Sequence, residues 1–450
     1  MKKRILKIAG ITLLVLAALF ALAFGGLYLY SRTYSIPPQA ASIENDTGLI
    51  RAHGRTLYDA NGNPIVLKGV NAGQLLLQES QMSPFFAEPL TNADGSYVTD
   101  ANGNVQYSAF SEADLRAAIA SNPNLNMHHI DGLLAQYWKS FFSTEDFVII
   151  KQELGLNCIR LPFYYLNILN EDLTRKSEED AFRFLDWFIS CAAEQELYVI
   201  LDLHGVPGSQ NGQEDSGVSD QSCTFWDNQA YVDAVVDLWD FVSDHYTDNA
   251  PELGKWIASY GILNEPTNDR SIATPKQRWE ILDRMYEVIR FNGDEHVITI
   301  CSSGGFNGLP NPQKYTWKNV QYEYHWYNEK DSYSLFTMLQ DMQNIFRDYD
   351  VPVLIGEFST FGDHDAFNTL MHLFADRNYS WMVWNYKTIV TGDQVSCQAV
   401  YTYQMRLQPG ELKCNIATCT FDEYLDLCKK LTTENCVAGK LYDMLLALRS

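Results

Sequence analysis

Short apolar runs recur along this chain, most of them separated by stretches of helical periodicity, and that alternation restricts the folds open to it. The runs are Ile65 to Asn71, "NCIRLPF" (157–163), "YVILDLHG" (198–205), "YGILNEP" (260–266), "VITICSSGG" (297–305), "VQYEYHWY" (320–327), "VPVLIGEF" (351–358) and "WMVWNY" (381–386). They read as strands. Segments with apolar residues at helical spacing lie between most of them, such as "SEEDAFRFLDWFISCAAEQEL". There Ser177 and Asp180 give a capping-box-like start, and Phe182, Leu185, Ile189 and Ala192 line one face. "NQAYVDAVVDLWDFVSDHY", "KQRWEILDRMYEVIRF", "SLFTMLQDMQNIF" and "AFNTLMHLFADR" are of the same kind. Strand and helix in alternation predict a parallel sheet of the α/β class, and eight repeats predict a closed (β/α)8 TIM barrel enlarged by loop insertions. An open doubly wound sheet is the alternative. It would normally carry a phosphate-binding glycine loop after the first strand, and none stands there. "SSGGFNG" (302–308) lacks both the spacing and a Lys-Ser/Thr ending, and reads as a turn.

The flanks add to this picture. "RAHGRTLYDANGNPIVLKGVN" predicts a hairpin turned at Asn61 and Gly62, leading into the first strand from Ile65 to Asn71. The largest insertion, Leu75 to Phe147, carries the pair His128 and His129, which reads as loop structure because no carboxylate or Cys stands at a helpful spacing for a metal. At the N-terminus, Lys2, Lys3, Arg4 and Lys7 precede an uncharged run from Ile8 to Tyr30. A bilayer-crossing helix needs about 20 apolar residues, so residues 1–30 read as a basic cytoplasmic tip and a transmembrane signal-anchor. Residues 31–47 read as a tether and 48–450 as the barrel domain, outside the cytoplasm. Cleavage as a signal peptide after "ALA" (21–23) is the rival, with secretion as its consequence. The C-terminal segment from about 396 to 450 holds Cys397, Cys414, Cys419, Cys428 and Cys436, a cluster that permits disulfides without fixing a pairing. Cys158, Cys191 and Cys301 sit in apolar runs and read as core. The 33 basic and 56 acidic residues give a net charge of −23, which repels nucleic acid and favours a neutral substrate.

Side chains at the C-terminal ends of barrel strands converge on one face, where catalytic groups belong. Those ends carry Asn71, Arg160, His204, Asn264 with Glu265, His325 with Tyr327, Glu357 and Trp384. Each has a structural reading of its own: Arg160 in an ion pair, His204 as a satisfied core histidine, Trp384 in packing. Taken together they suit glycoside hydrolysis. Glu265 and Glu357 end the fourth and seventh strands, and this chemistry needs one neutral carboxyl to protonate the leaving oxygen and one ionised carboxylate to attack the anomeric carbon. Arg160 and His325 are placed to keep the nucleophile charged, and Tyr327 to hydrogen-bond it. Asn264 suits a sugar 2-hydroxyl, and Trp384 the apolar face of a pyranose.

This set resembles glycoside hydrolase family 5, the cellulase family, over roughly residues 48 to 390, through the Asn-Glu-Pro motif, the His-x-Tyr in "YHWY" and "GEF". The resemblance implies Glu265 as acid/base, Glu357 as nucleophile, retention of configuration with carboxyl groups about 5 Å apart, and no metal or other cofactor. A narrower similarity runs to the exo-β-1,3-glucanases of the family, through "LDLHGVPGSQNG" (201–212), "GVNAGQLLLQES" (69–80) and "FSTEDF" (142–147). It implies a terminal-sugar contact for Glu79. Two departures fall on substrate binding: Gln213 stands where those enzymes carry an aromatic clamp, and Gly73, Gln74 and Leu75 where they carry Gly-Gly-Trp. Trp226 or Phe225 either replaces the clamp or packs. The expectation is a monomeric, membrane-tethered retaining β-glycosidase acting on a β-1,3-glucan or cellulose-like polysaccharide or oligosaccharide. A cell-wall transglycosylase and an inactive glycan-binding protein are the alternatives.

Overall fold

The strand-like runs close into a barrel. The computed structural model describes residues 40–449 apart from 80–81, 87–89, 100–109, 267–272, 303–308, 328–348, 390–399 and 404–414. Its barrel strands are β1 (Lys68–Asn71), β2 (Cys158–Tyr164), β3 (Tyr198–Gly205), β4 (Ile257–Gly261), β5 (Val297–Cys301), β6 (Val320–Tyr327), β7 (Val353–Ser359) and β8 (Ser380–Val383). Each pairs in parallel with its sequence neighbours, and β8 returns to β1. The pairing Asn71↔Arg160 and Glu357↔His325 brings polar strand ends to common levels.

The connecting segments explain themselves locally. The helix Glu178–Glu194 starts at Ser177, whose Oγ accepts from the Asp180 amide at 3.2 Å, and Phe182, Leu185, Ile189 and Ala192 are buried as the periodicity predicts. Such a cap contributes about 1 kcal/mol. Gln229–Asp244, Pro275–Phe291 and His364–Ala375 are the corresponding helices after β3, β4 and β7. The insertion after β1 folds into helices Glu112–Ser121, Ile130–Phe141 and Thr144–Val148. His128 and His129 are exposed at its surface, with His128 stacked on Phe421.

Ile65 does not belong to the first barrel strand. It pairs with Leu57 in a three-stranded antiparallel sheet (Arg51–His53, Thr56–Tyr58, Pro64–Ile65). Asn157 then pins the chain between the two sheets, donating to Val66 O at 2.9 Å and accepting from Lys68 N at 2.7 Å. The hairpin turns as read at Asn61 and Gly62, where Gly62 has φ 75°. Ile50, Leu57 and Leu67 pack with Cys158, Ile200, Ala258, Val297, Leu354 and Met382 and close one end of the barrel with apolar contacts. The strand within "YGILNEP" also differs: it runs Ile257–Gly261, so Asn264 and Glu265 lie just past its ladder.

After β8 the chain forms a small sheet (Lys387–Ile389, Tyr401–Tyr403, Val437–Ala438) and helices Phe421–Lys430 and Lys440–Ala447. Lys387 joins this segment to the insertion through a fully buried ion pair with Asp146 at 2.7 Å. Cys158, Cys191, Cys301 and Cys428 are buried free thiols. Cys397, Cys414, the anchor and tether up to residue 39, most of "SSGGFNG" and the "SLFTMLQDMQNIF" segment lie outside the described residues. Among the described residues no helix is long and apolar enough to cross a membrane.

Candidate active site

β2 carries Arg160 into the barrel, where its side chain is fully buried. A buried charge is tolerated only when paired and hydrogen-bonded, and Arg160 is paired three times. Its guanidinium lies 2.9 Å from Asp202, 3.0 Å from Glu323 and 2.9 Å from Glu357. It also donates to Asn71 Oδ1 at 3.0 Å and Asn264 Oδ1 at 2.8 Å. The planar fork of arginine suits this many fixed acceptors; the single ammonium of lysine does not. Glu323 fits because residue 356 is glycine: a Cβ there would stand 1.6 Å from Glu323 Oε1.

Asn264 passes this order on. With its oxygen committed to Arg160, its Nδ2 faces His204 Nε2 at 3.4 Å, and His204 Nδ1 meets Asp202 at 2.7 Å. Asn71 is fully buried, holds Arg160 and donates to Gly356 O at 2.9 Å.

Glu357, near the end of β7, is the most strongly held carboxylate. Oε1 accepts from Arg160, Oε2 accepts from Tyr327 Oη at 2.6 Å, and His325 Nδ1 lies 3.5 Å from Oε2. Burial works to raise this carboxyl, but the charges of His325 and Arg160, with His204 and the Tyr327 hydrogen bond, outweigh it and bring it down to about 2. Burial likewise disfavours a charged His325, yet Glu357 and the groups around it hold its imidazolium form well above the ordinary histidine range. Both ring nitrogens are engaged. Nδ1 meets Glu265 Oε1 at 2.7 Å, and Nε2 meets Glu323 Oε1 at 3.2 Å. Glu265 itself follows β4 in a left-handed backbone conformation, φ 36°, uncommon for a side chain other than glycine and frequent at functional sites. One oxygen of Glu265 and one of Glu357 come within 4.8 Å of each other, with His325 between them.

Above these groups opens a pocket of about 270 Å³ lined by Glu79, His204, Asp215, Asn264, Glu265, Tyr327, Glu357 and Trp384. Thus seven of the residues singled out in the sequence face one cavity, whereas Asn71, Arg160 and His325 support it without lining it. Trp384 stacks parallel to His204, ring centroids 5.9 Å apart. Glu79 is set by Gln74, whose Oε1 accepts from the Glu79 amide at 3.1 Å. Sequence reasoning missed Asp215, held by Asn211 Nδ2 at 2.7 Å, and the buried Asp202 and Glu323. Burial first and then Glu265 push Asp215 up to about 7; burial and Asp215 push Glu79 well above the carboxylate range. Gln213 is exposed and does not line the pocket. Phe225 and Trp226 pack against each other, and the Trp226 indole donates to Gln210 O, so neither stands in for an aromatic clamp.

Among the described residues two trios have donors spaced for a metal: Glu265, His325 and Glu357, and Cys301, Glu323 and His325. Arg160 is already the cationic partner of Glu357 in the first and of Glu323 Oε1 in the second.

Residues 118–388 match the family described as Cellulase (glycosyl hydrolase family 5). Among curated relatives, a β-xylosidase of Phanerodontia chrysosporium is 28% identical over 62% of this chain and 52% of its own length. A probable glucan 1,3-β-glucosidase A of Neosartorya fischeri is 26% identical over 67% of this chain and 66% of its own. The chain therefore spans about half of the first and just under two thirds of the second. Among solved structures that share the fold are AoRut, with TM-score 0.54 and 17% identity over 72% of this chain and 89% of that one, and endogalactoceramidase, with TM-score 0.52 and 14% identity over 85% and 84%.

Proposed function

This chain belongs to glycosyl hydrolase family 5, and from that premise we propose that it is a retaining β-glycosidase hydrolysing a neutral β-glucan through Glu357 as nucleophile and Glu265 as acid/base. The observation that carries this reading is that one oxygen of Glu265 and one of Glu357 face each other within 4.8 Å across the pocket, too close to suit a water held between two separated carboxyl groups. Retaining enzymes hold theirs about 5–5.5 Å apart, whereas inverting enzymes need about 6.5–9.5 Å to admit a water.

In the first step Glu357 attacks the anomeric carbon, the glycosidic C–O bond breaks, and the Glu265 proton passes to the leaving oxygen. In the second, water attacks the same carbon, Glu265 takes its proton, and the bond to Glu357 breaks, with net retention. Arg160, His325 and Tyr327 keep Glu357 ionised for attack, and Asn264 is set by Arg160 to meet the sugar 2-hydroxyl. Trp384 and His204 form the pocket's ring-lined side.

The β-1,3 linkage is favoured by the glucan 1,3-β-glucosidase relatives and by "LDLHGVPGSQNG". The basic flank before Ile8–Tyr30 supports a membrane-tethered catalytic domain outside the cytoplasm, and we take that domain to be monomeric. The test is sugar release from laminarin, cellulose, mixed-linkage glucan, mannan, aryl β-glucosides and aryl β-xylosides. Release from laminarin and aryl β-glucosides is expected. No release from any β-glycan would overturn the reading in favour of binding, and elongated oligosaccharides in favour of transglycosylation.

A further inference from the structure

His325 turns its second nitrogen away from the pocket, toward two side chains that do not line it. Nε2 lies 3.8 Å from the Cys301 sulfur and 3.2 Å from Glu323 Oε1, and one donor atom from each residue falls within 4.8 Å of the others. Cys301 ends β5, while Glu323 and His325 stand two residues apart on β6 and so point to the same side of the sheet. A tetrahedral zinc binds thiolate at about 2.3 Å, imidazole at about 2.05 Å and carboxylate at about 2.1 Å, so its sulfur and nitrogen donors stand about 3.6 Å apart and its nitrogen and oxygen donors about 3.4 Å apart. The observed separations differ from these by about 0.2 Å.

One donor is also uncommitted. Glu323 is fully buried, and its Oε2 has no hydrogen-bond partner among the described residues. A turn of the carboxylate offers that oxygen to a cation while Oε1 stays near Arg160. Cys301 borders a second, smaller cavity, lined also by Arg278, Leu282, Leu309 and Pro310 and separate from the substrate pocket. Thiolate with imidazole selects zinc-class ions over magnesium or calcium.

The geometry points to an inhibitory site for a zinc-class cation formed by Cys301, Glu323 and His325, directly behind the catalytic carboxylates. Binding displaces the thiol proton of Cys301 and the Nε2 proton of His325 to solvent, and leaves the Nδ1 proton on its hydrogen bond to Glu265. The cation then fixes the His325 ring on Cys301 and Glu323, so the imidazole can no longer adjust to Glu265 and Glu357 during proton transfer, and turnover falls.

The experiment uses the full chain with Zn²⁺ in an aryl β-glucoside assay and Cd²⁺ in ultraviolet absorption and equilibrium dialysis. Binding is read without substrate, so failure of the site and failure of the glycosidase reading are separate results. One equivalent of Cd²⁺ with a cadmium–thiolate charge-transfer band is expected. Cys301→Ser and Cys301→Ala should keep metal-free turnover, lose the band and resist Zn²⁺ by at least the ~10- to 100-fold that loss of a lesser partner costs a metal site. Wild-type protein with no thiolate band overturns the proposal, whatever the variants do. Equal Zn²⁺ inhibition of wild type and both variants also overturns it, and moves the cation to Glu265, His325 and Glu357.

Discussion

Replacing Tyr327 by phenylalanine removes one hydroxyl and leaves the ring's packing in place. That hydroxyl donates to Glu357 Oε2 at 2.6 Å. A hydrogen bond to a charged acceptor contributes about 1.5–3 kcal/mol, and one pKa unit corresponds to about 1.36 kcal/mol. Glu357 in Tyr327→Phe should therefore rise from about 2 by about one to two units. Arg160 and His325 remain, so the carboxylate stays ionised at neutral pH, and the acid limb of kcat/KM moves up by the same one to two units. Stability follows with a definite sign. Glu357 is depressed below its ordinary value of 4.5, so its contribution is present above pH 4.5 and is lost as the pH falls toward 2. The variant should thus be less stable by about 1.5–3 kcal/mol at pH 7, with the difference shrinking toward zero in acid. The assay is kcat/KM on an aryl β-glucoside from pH 3 to 8, with thermal melts over the same range. An acid limb that stays in place, or a stability difference equal at pH 3 and pH 7, would refute the reasoning.

Three further outcomes are expected. Glu265→Ala should lose about 10²–10⁴ in kcat on natural β-glucan, keep cleavage of aryl glycosides with acidic leaving groups, and give β-glycosyl azide when azide is added; rate and product analysis check this. Asp146→Ala strands the buried Lys387 ammonium, so chemical denaturation should show a loss of about 3–5 kcal/mol. Asp215 is proton-bound below about 7 and charged above it, so the KM of the wild type should change between pH 6 and 8 while that of Asp215→Asn stays flat.

The barrel was legible because parallel strands buried on both faces read as short continuous apolar runs, while the helices between them keep a period of 3.6. The strand ends were legible for the same reason: polar groups placed at the end of an apolar run must face something. What lay one step further in was passed over, although a signal existed. Glu323 precedes His325 by two residues and Asp202 precedes His204 by two, so alternation puts each pair on one inner face. Asp215 had no such signal, since it sits in a short turn (Glu214–Ser216) where spacing carries no direction. His325 was read as a partner of Glu357 alone. Its shorter bond to Glu265 depends on closure of β4 and β6 around the barrel, which no local pattern specifies. In sequence Ile65 reads as part of the first barrel strand because an apolar residue beside a strand looks like part of it; the hydrogen bonds of Asn157, distant in sequence, hold the chain where it passes from one sheet to the other.

The central claim is a covalent glycosyl bond to Glu357, and trapping it tests that claim most directly. Incubation with a 2-deoxy-2-fluoro β-glucosyl fluoride, followed by intact-protein and peptide mass spectrometry, should show one added fluoroglucosyl group per chain on the peptide holding "GEF", at Glu357. A label on another residue, or turnover that releases the inverted anomer with no adduct formed, would contradict it.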